Sequence, residues 1–140
     1  MSQAHYLIDT SALARLLAKP DSLPEWDRAM RSGVIAVSPV TELEFLYSAR
    51  SQTDRERMVR NLNDMLLPAP FDERHNARAW QVQGLLTQHG EHRSAGPIDL
   101  LVASCAEVTG LTLLHYDRDF ETIARHTGQP TRWVAEPGSL

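Results

Sequence analysis

The chain has only one cysteine and one lysine, and each low count argues against a particular kind of bond or site. A single cysteine, Cys105, allows no internal disulfide, and its place in an apolar helical pattern predicts a buried, inert thiol. Lys19 is the only lysine, so nearly all positive charge is arginine, whose guanidinium binds phosphate or carboxylate through two parallel hydrogen bonds. A phosphoacceptor domain that needs a lysine late in the chain is therefore disfavoured.

Long apolar runs and Gly-rich phosphate loops are also absent. No stretch approaches the roughly 18 apolar residues of a membrane span, and the N-terminus lacks the basic segment of a secretory signal. We therefore expect a cytoplasmic protein without membrane contact. The net charge of −4 argues against tight, indiscriminate nucleic-acid binding. It does not exclude a nuclease, since a carboxylate-rich metal site is itself acidic.

The 140 residues suit one domain, residues 1–140, in which short apolar runs alternate with helically periodic segments. This alternation predicts an α/β fold with a parallel sheet. Strands are predicted at residues 5–8, 34–37, 111–116 and 131–134, with an edge strand at 67–71. Helices are predicted at about 11–18, 22–31, 38–49, 53–66, 72–88, 97–109 and 119–126.

Four acidic residues stand where such a fold would bring them together. Asp9 and Asp117 each follow a predicted strand, and Glu44 and Asp99 each lie near the start of a helix. In a parallel sheet, ligands bind beyond the carboxyl ends of the strands. A cluster of like charges needs protons or a cation to compensate it, and Mg²⁺ or Mn²⁺ suits oxygen ligands.

Helix capping is the competing explanation for these acids. In the turn after the first strand we expect Ser11 to cap the helix while Asp9 faces the site, with Thr10 or Ser11 orienting it. Thr41 and Glu44 have the spacing of a capping box, although Glu44 precedes an apolar run, residues 45–47, that we expect to be mostly buried.

The two later acidic segments are harder to explain by capping. Asp99 falls in the first turn of a helix that begins near Pro97, where the helix dipole favours a negative charge. Asp119 is the expected cap of the last helix, which leaves Asp117 surplus at the strand end. His115, within the strand, is interpreted as a packed residue.

Four blocks of the sequence resemble a known family. Residues 6–13 are similar to the opening strand and Asp-Thr-Ser turn of PIN-domain ribonucleases, of the kind found as VapC-type toxins in bacterial toxin–antitoxin pairs. Residues 37–47, 97–103 and 113–120 resemble the three later acidic blocks. The family's glutamate falls on Glu44, with Glu42 beside it, and the division of work between Asp117 and Asp119 stays open.

The resemblance implies a three-layer α/β/α sandwich with a central, mostly parallel sheet. It implies Mg²⁺- or Mn²⁺-dependent endonucleolytic cleavage of RNA. It also implies a homodimer and inhibition by a cognate antitoxin, a segment of which covers the acidic groove.

On this basis we expect Asp9 and Asp99 to bind the metal directly. Asp117 and Glu44 would complete the catalytic site, and either would orient the attacking water. One or two metals are both compatible with the sequence, and Asp119 is the candidate ligand of a second metal. Substrate phosphates need positive partners, for which the candidates are Arg15, Arg93 and Arg118.

Two other functions fit some of the same residues. Phosphoryl-transfer domains also place Asp at strand ends over Mg²⁺, but the dehalogenase type has a second Asp two residues after the first, where this chain has Ser11. A catalytically inactive PIN-like binding module is the other alternative, and the presence of all four acids argues against it.

Overall fold

The computed structural model describes residues 4–140, and a parallel sheet lies at its centre. The strands are β1 (Tyr6–Ile8), β2 (Ile35–Val37), β3 (Leu67–Pro68), β4 (Thr112–His115) and β5 (Thr131–Trp133). Their order in the sheet is β3-β2-β1-β4-β5, and every strand pair is parallel. The predicted strands and the short edge strand are therefore confirmed.

Helices connect the strands, and their bounds lie within a few residues of the predicted ones. They are α1 (Thr10–Ala18), α2 (Pro24–Arg31), α3 (Pro39–Leu46), α4 (Gln52–Met65), α5 (Glu73–Gln88), α6 (Pro97–Thr109) and α7 (Asp119–Thr127), with a short 3₁₀ helix at Pro20–Ser22. Only α3 differs notably, because it ends at Leu46 rather than near residue 49. No helix within residues 4–140 is long and apolar enough to cross a membrane.

The sheet separates two hydrophobic clusters, because successive side chains of a strand point to opposite faces. Leu7 and Leu113 pack on one face against α5, α6 and α7. Ile8 and Leu114 pack on the other face against α1, α2 and α4. All four are fully buried, and each contributes about 2 kcal/mol on leaving water. The three-layer α/β/α sandwich is thus confirmed.

The order in which strands are added to the sheet reverses between β1 and β4. From β1 the chain runs outward through β2 to β3, then returns to place β4 on the other side of β1. Ile8 pairs with Leu114, and the backbone N–H of Asp9 donates to the carbonyl of Leu114 at 3.0 Å. The segments that follow β1 and β4 therefore lie side by side at the carboxyl end, the usual ligand position in such sheets.

Candidate active site

Asp9 forms the floor of the site and is 3% exposed. Its Oδ2 accepts the backbone N–H of Ser11 at 2.9 Å and the Ser11 hydroxyl at 2.6 Å. Ser11 Oγ in turn accepts the N–H of Tyr116 at 2.9 Å, which ties the turn after β1 to the end of β4. Asp9, not Ser11, is the N-cap of α1, so that part of the prediction is wrong. Ser11 does hold Asp9, and burial raises the pKa of the Asp9 carboxyl.

Glu44 approaches the floor from α3. Its Oε1 accepts the Thr10 hydroxyl at 2.5 Å, and its charge adds to the raised pKa of Asp9. The capping-box explanation of Glu44 is wrong, because Ser38 caps α3 by accepting the N–H of Thr41. Glu44 itself is exposed and so is free to contact a ligand.

The predicted burial of residues 45–47 is also wrong. Tyr47 is 92% exposed, and Phe45 and Leu46 are only partly buried. The cause is the early end of α3 at Leu46, after which the chain turns toward α4 and leaves Tyr47 in solvent.

Asp99 lies in the first turn of α6, two residues after Pro97. Burial raises the pKa of its carboxyl to about 7, and the charges of Asp9 and Asp117 add to the rise. The backbone N–H of Gly96 partly offsets these effects. Burial and the neighbouring negative charges therefore both disfavour the ionised form of Asp99.

Asp117 and Asp119 complete the group from the segment after β4. Oδ1 of Asp117 accepts the N–H of Asp119 at 2.9 Å, whereas the N-cap position of α7, Arg118, makes no side-chain hydrogen bond. The expectation that Asp119 caps α7 and leaves Asp117 surplus is therefore wrong, since Asp117 satisfies the first turn. Burial, followed by the charge of Asp117, raises the pKa of Asp119.

Three of these carboxylates form a compact group. Asp99, Asp117 and Asp119 each offer an oxygen within 4.8 Å of the others. The charge of Asp9 reaches Asp99, but Asp9 is not itself a member of the group. No ion pair formed within residues 4–140 involves any of these acids or Glu44. An oxygen-only donor set without a protein cation fits a hard divalent metal.

The three candidate arginines differ in their contacts. Arg93 and Arg118 are exposed, and neither side chain has a hydrogen bond or ion pair to any residue that the structure describes. Arg15 is held in place, because its Nη1 donates to the carbonyl of Ser11 at 2.9 Å and its guanidinium lies 4.4 Å from the centre of the Tyr116 ring.

The sequence from residue 6 to residue 126 matches the model of the PIN domain. The chain belongs to the PIN-domain family. It is 39% identical over 134 residues to Ribonuclease VapC21 of Mycobacterium tuberculosis, covering 96% of each chain. It is 36% identical over 135 residues to Ribonuclease VapC51 of the same organism, again covering 96% of each.

Solved structures share the fold of this PIN-domain chain. VapBC2 from Rickettsia felis, bound to a DNA fragment from its promoter, gives a TM-score of 0.77 at 20% identity and covers 91% of this chain and 97% of that one. The DNA-bound VapBC from Salmonella typhimurium gives 0.75 at 21% identity, with coverage of 94% and 99%. These likenesses support the three-layer architecture.

The hydrogen bonds of His115, beside the acidic residues, were not anticipated from the sequence. His115 is fully buried, its Nδ1 accepts the N–H of Asp117 at 3.1 Å, and its Nε2 lies 2.8 Å from Glu121 Oε1. Burial lowers the pKa of His115. Describing it only as packed is incomplete. The detectable signal was a polar ring in a buried strand, which requires hydrogen-bond partners.

Proposed function

We propose that this protein is a metal-dependent endoribonuclease and the toxin of a toxin–antitoxin pair. The main support is the group of Asp99, Asp117 and Asp119 beside Asp9 at the carboxyl end of the sheet, which pairs with no cation among residues 4–140. The curated relatives are ribonucleases by name over nearly the whole chain. A phosphoryl-transfer domain and an inactive binding module are not favoured.

We assign the metal site to the aspartates, with Mg²⁺ or Mn²⁺ as the ion. Asp99, Asp117 and Asp119 are close enough to share a cation, and Asp9 contributes charge from beneath. Direct binding by Asp9, the original expectation, stays a prediction. Such a metal supplies Lewis-acid activation of a water and of the scissile phosphate.

The chain's own residues then position the reactants. Ser11 fixes the Asp9 carboxylate through two hydrogen bonds, and Thr10 fixes that of Glu44 through one. Glu44 is exposed, so we propose that it or Asp117 orients the attacking water and accepts its proton.

The arginines near the site suit an RNA backbone. The guanidinium groups of Arg93 and Arg118 pair with no residue of 4–140 and can contact phosphates. Arg15 and Tyr116 present a cation and a ring beside Asp117, which suits a phosphate and a base of the same strand. We propose that these three arginines give the site local positive charge, although the net charge of the whole chain is −4.

We further propose a cognate antitoxin and a second copy of this chain as partners, and a cytoplasmic location where RNA is available. The VapB component of the related VapBC complexes suggests the first partner. Leu43, Tyr47 and Trp80 are 69%, 92% and 74% exposed. Large apolar side chains in solvent favour contact with another protein.

RNA cleavage by the purified protein tests the proposed function. Mg²⁺ should support endonucleolytic cleavage and EDTA should abolish it. Asp9→Asn should lower the rate by roughly a hundredfold or more, because the site loses a fixed charge. Asp64→Asn is the matched control, since Asp64 is exposed and lines a groove with Gly33 at the other end of the sheet. Metal-independent cleavage, or equal rates in both variants, would contradict the proposal.

A further inference from the structure

His115 ends β4 two residues before Asp117 and offers no atom to the acidic group. We propose that it is a positioning residue, which fixes the backbone of Asp117 through Nδ1 so that the carboxylate faces the metal site. The inference rests on the proposed function and adds a residue to it that acts only through Asp117.

The geometry around Asp117 leaves one oxygen for a ligand. Its N–H donates to His115 Nδ1 at 3.1 Å, and its Oδ1 accepts the N–H of Asp119 at 2.9 Å. Asp117 Oδ2 has no hydrogen bond with any residue of 4–140. The residue is therefore held at its backbone and at one carboxylate oxygen, while the other oxygen accepts no hydrogen bond from residues 4–140.

The hydrogen bonds also fix the proton on the imidazole. A backbone N–H can only donate, so Nδ1 must carry its lone pair and the proton must be on Nε2. That nitrogen lies 2.8 Å from Glu121 Oε1, which also accepts the Thr131 hydroxyl at 2.9 Å. Glu121 and Thr131 thus select the tautomer that can accept from Asp117.

Packing fixes the orientation of the ring. The centroid of His115 lies 5.3 Å from that of Phe120 and 4.7 Å from that of Trp133. Because the ring is fully buried between these neighbours, it cannot turn to exchange its two nitrogens without disturbing the core.

Two variants separate positioning from packing. In His115→Asn, Oδ1 falls near the place of Nδ1 and can still accept the N–H of Asp117. In His115→Gln, the amide nitrogen falls near the place of Nε2 and can still donate to Glu121, but the acceptor for Asp117 is lost. Gln is closer to His in volume, so a purely packing role predicts that Gln is the better tolerated.

Mn²⁺ binding, measured by calorimetry and electron paramagnetic resonance, provides a readout independent of activity. We expect His115→Gln to weaken Mn²⁺ binding roughly tenfold or more, and to lower kcat with little change in KM. His115→Asn should keep Mn²⁺ affinity within about threefold of wild type, since the positioning hydrogen bond survives. Equal losses, or better tolerance of Gln, would overturn the proposal.

A spectrum of the unaltered protein makes the inference testable even if a variant fails to fold. Nitrogen-15 NMR of the metal-free full chain should show the His115 proton on Nε2 and a bare Nδ1. A proton on Nδ1 would overturn the positioning role while leaving the proposed function intact. Absence of Mn²⁺ binding by wild type would overturn both.

Discussion

Carboxylates at the carboxyl end of the sheet and carboxylates at exposed helix starts experience opposite environments. Asp72 caps α5 and pairs with Arg74 at 3.0 Å, and these hydrogen bonds lower its pKa to about 2. Asp54, in the first turn of α4, accepts hydrogen bonds from Arg50 and Arg57 that also lower its pKa. Asp99 has no arginine partner among the residues that the structure describes, and its pKa rises to about 7.

The difference separates acids that serve the fold from acids that serve a ligand. A capped and paired carboxylate is compensated within the protein, so folding alone explains it. The group around Asp99 is partly buried and mutually repulsive, which opposes folding. Groups that destabilise a fold persist at functional sites, where an external partner compensates them.

The largest expected effect is on catalysis. Asp99→Asn should lower the rate of RNA cleavage by roughly a hundredfold or more, because the proposed metal site would lose one of its ligands. Asp72→Asn, the corresponding change in a paired acid, should leave the rate within about twofold. Initial rates at saturating Mg²⁺ measure both. Similar losses in the two variants would remove the distinction between the two kinds of acid.

The next effect is on the stability of the metal-free protein as a function of pH. Folded Asp99 keeps its proton up to about pH 7, whereas the unfolded chain releases it near 3.8. The folded state binds more protons in this window, so the free energy of unfolding should fall as pH rises from about 4 to about 7. Urea unfolding in EDTA at several pH values measures the slope.

Asp99→Asn should remove this fall in the free energy of unfolding with rising pH. Above pH 7 the variant should be more stable than wild type by at least about 1 kcal/mol, after allowance for solvent screening. Mg²⁺ should stabilise wild type more than the variant, because binding to the folded state adds to its stability. A variant less stable than wild type in EDTA would contradict a repulsive group.

A smaller and opposite effect is expected at Asp72. Its pKa is lowered, so its contribution is present above about pH 4 and is lost as pH falls toward 2. Asp72→Ala should lower Tm at pH 7 by roughly a few degrees, because α5 loses its cap. Thermal unfolding at pH 7 and pH 2.5 checks this, and the difference from wild type should shrink at the lower pH.

The smallest effect is expected on RNA binding, at the two exposed arginines proposed to contact phosphates. Arg93→Gln and Arg118→Gln should each raise KM for RNA about two- to fivefold, and should reduce the dependence of binding on salt. Arg28→Gln, at an exposed arginine of α2, is the control. If the control changes KM as much, the two arginines have no local role.

The elements were predictable because their cues are local. Helical periodicity, prolines at helix starts and short apolar runs determine most of the bounds, and strand alternation places Asp9 and the segment after β4 at one end of the sheet. The parallel direction of the strands could be anticipated in the same way, since strands that alternate with helices favour right-handed parallel crossovers.

The cap assignments failed for a physical reason. Asp, Ser and Thr all accept a free backbone N–H, and the choice among neighbours depends on where the chain bends. Asp9 caps rather than Ser11, Ser38 rather than Thr41, and Asp117 occupies the turn expected for Asp119. Shifts of two or three residues in the bend decide each case.

The sequence alone determined an α/β chain with acidic residues after its strands, because periodicity is a property of the chain, and its four acidic blocks resemble those of the PIN family. Only the tertiary structure decided which oxygens come together. Asp99, Asp117 and Asp119 form the compact group, and His115 is tied to Asp117, because side-chain contacts depend on the packing of α6 and α7 against the sheet. This packing depends on contacts between residues that are distant in sequence, in all three layers of the fold, so no local sequence pattern predicts it.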